Sequence, residues 1–103
     1  MTNYNKLVRD RIPEMIKEAG KTPVTKVIPE EEMESYLIQK LEEEIREFKE
    51  TRDFEELADL LEVIDALAKL RGDDLFSLER IKADKKTERG GFEERILLES
   101  VED

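Results

Sequence analysis

Glu44 and Glu47 stand three positions apart, as do Glu56 and Asp59, and only the eight residues from Phe48 to Glu55 separate the two pairs. On a helix a spacing of three puts both side chains on one face a turn apart, with Glu43 just behind the first pair. If each pair rides on one of two helices joined by a short turn, antiparallel packing gathers four carboxylates near that turn. Two like charges about 4 Å apart repel by about 4 kcal/mol at an effective dielectric constant of about 20, so the group is unfavourable without a cation. With oxygen donors alone, Mg²⁺ or Mn²⁺ suits it best, and Mg²⁺ commonly binds through carboxylates together with substrate phosphates.

A plainer account of the same residues stands beside this one. A chain in which 45% of residues are charged produces E-x-x-E pairs on solvated helix faces without any site. Glu56 also falls three residues after Asp53, where a capping box places a glutamate. Glu62 and Asp65 continue the acidic line: Glu62 reads as solvated, and Asp65, within Val63-Ile64-Asp65-Ala66-Leu67, as half-buried and a candidate for function.

The elements that must position these groups follow from the apolar pattern. Met33, Leu37, Leu41, Ile45 and Phe48 recur at spacings of three and four, marking one stripe on a helix from about Pro29 to Glu50 with Glu30, Glu31 and Glu32 at its positive end. Thr51-Arg52-Asp53 breaks it, and Asp53 is placed to cap a third helix running to about Leu70. So short a break makes the two an antiparallel hairpin. Before them, Pro13 and Gly20 bracket a short helix from Ile12 to Ala19, and Thr22 to Ile28 reads as an extended connector. After them, Gly72-Asp73-Asp74 opens a fourth helix that carries Leu75, Leu78 and Ile81 and dissolves over Lys85 to Arg89. Gly90-Gly91 is flexible, and Phe92 to Leu98 reads as a short strand or an extended tail docking on the core.

Residues 1–103 read as one all-α domain with a thin core, which a helical hairpin cannot complete alone; pairing hairpins from two chains into a four-helix bundle is the expected remedy, so a dimer or tetramer is expected. The net charge of −10 argues against a nucleic-acid polymer as partner, because that affinity comes mainly from Lys and Arg on phosphates. With no Cys and no His, disulfides, zinc-finger spacing, imidazole bases and His-activated nucleophiles are excluded by composition. Charges at the N-terminus and the lack of a long apolar run imply no membrane and a cytoplasmic location.

The run Lys40-Leu41-Glu42-Glu43-Glu44-Ile45-Arg46-Glu47-Phe48, followed by Glu55-Glu56-Leu57-Ala58-Asp59-Leu60-Leu61-Glu62-Val63-Ile64, resembles the E-E-x-x-E and E-x-x-D signature of the MazG-like all-α nucleotide pyrophosphohydrolases. Within that superfamily the chain is most similar to the phosphoribosyl-ATP pyrophosphohydrolase-like proteins. Their opening Y-N-K-L-V-R-D-[KR]-I-P-E is matched by Tyr4 through Glu14, and their R-G-G-F by Arg89 to Phe92. The resemblance implies a Mg²⁺-dependent oligomer that hydrolyses the α–β phosphoanhydride of a nucleoside triphosphate or a phosphoribosyl-ATP-like substrate, releasing pyrophosphate and a monophosphate. By motif position Glu44, Glu47, Glu56 and Asp59 would be metal ligands, with Glu43 and Glu44 the catalytic carboxylates and Glu43 orienting water. The eight residues between the motif halves are a short linker for the superfamily, which bears on the loop shaping the base pocket rather than on the ligand pairs.

An acidic protein handling an acidic substrate still needs local positive charge, and Lys6, Arg9, Lys82, Lys86 and Arg89 are the candidates for the outer phosphates. Each also reads as an ordinary surface cation, and Arg9-Asp10-Arg11 as an ion-pair knot holding the N-terminal segment to its neighbours. Tyr4 and Phe92 are candidates for stacking on a base or for packing. The competing reading of the whole is a non-catalytic acidic helical module for dimerisation or as an adaptor; a pure scaffold, however, has no reason to hold repelling carboxylates together.

Overall fold

In the computed structural model, which describes residues 4–103, the chain is all-α: four helices and, among the described residues, no strand. Helix α1 spans Ile12–Glu18, α2 Glu30–Thr51, α3 Glu55–Leu70 and α4 Leu75–Arg89. Pro13 sits in the first turn of α1, and Gly20 follows it at φ 85°. Pro29 caps α2 in an extended conformation, and three glutamates fill the first turn, where the unpaired N–H groups favour negative charge.

The break between α2 and α3 is closed by backbone. Arg52 adopts a left-handed conformation, φ 60°, and its N–H donates to the Phe48 carbonyl at 2.8 Å, while its Nε donates to the Lys49 carbonyl. The chain thereby reverses and lays α3 on α2. The expected side-chain cap by Asp53 does not form. Phe54 occupies the cap position, the Asp53 carbonyl accepts from the Glu56 N–H, and the Asp53 N–H is turned back onto the Thr51 hydroxyl.

Helix α4 outruns its expected end and continues through Lys85-Lys86-Thr87-Glu88-Arg89. Straight-chain Lys, Glu and Arg are good helix formers even without an apolar stripe, and Lys86 and Arg89 stand at the negative end of the dipole. Asp74 starts this helix by accepting from the Ser77 N–H at 2.9 Å. The tail after Arg89 forms no strand and does not dock on the core: Phe92 and Ile96 to Leu98 are at least 76% exposed.

Packing is confined to α2 on α3 and α3 on α4, with α1 standing apart. Among the described residues only Leu37 and Val63 are buried hydrophobics, one from each hairpin helix, and both line one cleft with Glu44 and Asp59. The outline measures 60 × 32 × 25 Å with a radius of gyration of 18.1 Å, whereas a compact domain of this length is near 13 Å.

Candidate metal centre

Helix α2 presents Lys40, Glu43, Glu44 and Glu47 along one side, and α3 brings Glu56 and Asp59 against it. Carboxylate oxygens of Glu43, Glu44 and Glu47 lie within 4.8 Å of one another, and so do those of Glu44, Glu56 and Asp59. Glu44 belongs to both groups and is the hub. The two sequence pairs therefore converge, and Glu43 stands with them.

Burial separates the hub from its neighbours. Glu44 is 6% exposed and is, among the described residues, the buried charged side chain. Its Oε2 and that of Glu56 are shielded from solvent with no hydrogen-bond partner. A buried carboxylate oxygen without a donor is costly, and a hard cation is the partner that several such oxygens can share. Burial, reinforced by the charge of Glu47, pushes the Glu44 carboxyl up to about 7. Burial and the charges of Glu47 and Asp59 likewise raise Glu56. A divalent cation, by displacing the proton and sharing the unpartnered oxygens, would relieve both the burial and the mutual repulsion of these carboxylates.

Three cations surround the cluster. Lys40 lies 3.5 Å from Glu43 and 3.6 Å from Glu44. Lys6 donates to Glu43 at 2.9 Å, and Arg9 to Asp59 at 2.8 Å. Burial pulls the Glu43 carboxyl upward, but the Lys6 hydrogen bond and the nearby Lys40 outweigh it and leave Glu43 below the ordinary range. The Glu43 hydrogen bond in turn raises Lys6. The N-terminal segment thus runs as a strap across both hairpin helices, pinned at α2 by Lys6 and at α3 by Arg9.

The strap forms one wall of two clefts flanking the cluster. The larger, about 560 Å³, holds Tyr4, Lys6, Tyr36, Lys40, Arg46 and Glu47. The smaller, about 290 Å³, is floored by Leu37, Glu44 and Val63 and bounded by Arg9 and Asp59. Lys6 lies over the Tyr4 ring at 5.5 Å from its centre. Lys40, Tyr36 and Arg46 were missed as site residues, although Lys40 sits three and four positions before Glu43 and Glu44, the ordinary signal of a helical ion pair.

Other candidates lie elsewhere. Lys82, Lys86 and Arg89 are exposed on α4 outside both clefts, and Lys86 faces Glu93 at 3.6 Å. Phe92 is 96% exposed and touches neither cleft. Asp65 is half-buried as expected but pairs with Lys69 at 3.1 Å, away from the cluster, and Glu62 is exposed at the rim of the smaller cleft. Arg11 pairs with Glu14. Of the supposed N-terminal knot, the long-range tie is Arg9 to Asp59.

No family model matches the chain, and no solved structure matches it. A curated relative, an uncharacterized protein of Mycolicibacterium smegmatis, is 46% identical over 43 residues, covering 42% of this chain and 44% of the relative. The match spans under half of either protein.

Proposed function

We propose that this chain is a Mg²⁺-dependent nucleotide pyrophosphohydrolase of the MazG-like kind. The observation that carries the reading is Glu44, 6% exposed with an unpartnered Oε2 and with oxygens of Glu43, Glu47, Glu56 and Asp59 gathered about it. Glu44, Glu47, Glu56 and Asp59 would hold Mg²⁺, or Mn²⁺ in its place. The bound ion would neutralise phosphate charge as the anhydride breaks and make nearby water more acidic. Glu43, held ionised by Lys6 and Lys40, keeps acceptor oxygens with which to orient a water at the edge of the cluster. The larger cleft, with two tyrosine rings and several cations beside the carboxylates, has the chemistry to hold a nucleotide: rings for a base, ammonium and guanidinium groups for phosphates. The cytoplasm is the compartment this reading implies.

The reading includes self-association. A radius of gyration well above the compact value, and large apolar side chains left open along the hairpin at Ile38, Ile45, Leu57 and Leu61, support pairing with a second copy.

Product analysis tests the proposal. Purified protein with Mg²⁺ and a panel of ribo- and deoxyribonucleoside triphosphates should yield pyrophosphate and monophosphate, and Glu44→Gln should abolish both. Orthophosphate and diphosphate as products would overturn the bond assignment. No turnover, together with no stabilisation by Mg²⁺ or Mn²⁺, would favour the non-catalytic adaptor.

A further inference from the structure

The strap places one cation on Asp59, a carboxylate that a metal would need, and another on Glu43 at the edge of the same cluster. Lys6 and Arg9, three residues apart on non-helical chain, reach across 37 and 50 positions to Glu43 and Asp59, on opposite helices of the hairpin. These are the long-range side-chain hydrogen bonds among the described residues, and both end on the cluster. The Arg9–Asp59 pair is open to solvent, at 55% and 43% exposed, and the Lys6–Glu43 pair less so, at 41% and 19%. An exposed ion pair is weak and breaks readily. By contrast Glu44, to which neither strap cation donates, is buried and keeps an unpartnered oxygen.

Charge decides how such a site behaves. A guanidinium on Asp59 and a divalent cation on the same cluster repel each other strongly at a few ångströms. A polyphosphate between them reverses the sign, because it attracts both. The strap also walls the two clefts through which such an anion would reach the cluster.

We propose that Lys6 and Arg9 are exchangeable counter-ions: they occupy Glu43 and Asp59 in the metal-free protein and turn to the phosphates of a bound metal–polyphosphate, making tight metal binding conditional on the anion. The inference rests on the reading of the cluster as a metal centre. It makes the strap a coupling device, in which metal and phosphate each strengthen the binding of the other by the same factor. Arg9 is the stronger lever, because Glu43 keeps Lys40 when Lys6 leaves, whereas among the described residues Asp59 has Arg9 as its cation.

The test measures binding on the full chain, without turnover. Mn²⁺ alone is titrated into wild type, Arg9→Gln and Lys6→Gln, with Lys17→Gln as a remote control for the same loss of charge. Inorganic pyrophosphate is then titrated in excess Mg²⁺. Arg9→Gln should tighten Mn²⁺ alone about two- to fivefold, the span of an exposed ion pair, and weaken pyrophosphate at least threefold. Lys6→Gln should weaken pyrophosphate similarly with a smaller effect on Mn²⁺, and Lys17→Gln should change neither. Weakening of both ligands by Arg9→Gln would mean a structural tie only, and unchanged Mn²⁺ affinity would mean that Arg9 does not compete; either result overturns the proposal. Failure of the wild type to bind Mn²⁺ at all would instead remove the metal centre itself, a result distinct from normal binding that ignores Arg9.

Discussion

At the scale of single residues, Glu44 dominates. Its carboxyl rises from the ordinary 4.5 to about 7, because it is buried and faces other carboxylates. A folded-state value above the unfolded one means that the metal-free protein binds the extra proton between those two values. Its stability therefore falls as pH rises from about 4.5 to about 7 and levels above that. Mg²⁺ must displace that proton, so the rise in Tm caused by Mg²⁺ should be larger at pH 8 than at pH 6. At saturation near 100 times the Kd the stabilisation should approach about 2.7 kcal/mol. Glu44→Gln removes the buried charge. Its metal-free Tm at pH 8 should exceed that of wild type by several degrees, and its response to Mg²⁺ should vanish; thermal melts with and without the ion check both. A Mg²⁺ response that survives the substitution would mean that the ion sits elsewhere.

At the scale of elements, the left-handed turn at Arg52 and the Asp74 cap of α4 stand beside a core of only two buried hydrophobics among the described residues. Asp74→Ala removes the side-chain acceptor for the Ser77 N–H, and a lost cap costs about 1 kcal/mol. Because α4 buries no side chain, that cost should appear as faster amide exchange along α4, with little change in the global melt. Arg52→Val forces a β-branched residue into the left-handed turn and should destabilise the hairpin by about 1–3 kcal/mol, read by denaturant unfolding. The elements also mark what was legible beforehand. The Met33-to-Phe48 stripe and the paired carboxylates are periodic, so the hairpin and the convergence of Glu44, Glu47, Glu56 and Asp59 were readable. The extension of α4 was missed because its last five residues carry no apolar period, although their propensities favour helix. The ties of Lys6 to Glu43 and Arg9 to Asp59 leave no local pattern, since their partners lie 37 and 50 residues away.

For the molecule as a whole, the open apolar side chains of the hairpin bear on assembly. Leu61 is 53% exposed in the single chain, so Leu61→Glu should cost an isolated chain little, yet it should break a bundle built on that face. Light scattering at micromolar concentration should give at least a dimer mass for wild type and a monomer mass for the variant. A monomer mass for wild type would sink the bundle. Beyond the helices, the tail carries five large apolar side chains, Phe92, Ile96, Leu97, Leu98 and Val101, each at least 76% exposed, interspersed with Glu93, Glu94, Glu99, Glu102 and Asp103. Its dispersal in water rests on net charge, and the chain carries −10 at pH 7 but none near its isoelectric point of about 4.6. Acidified solutions should therefore turn cloudy as the acidic gatekeepers of this sticky peptide lose their repulsion. Colloidal behaviour, more than unfolding, would then set the lower pH limit for handling the protein.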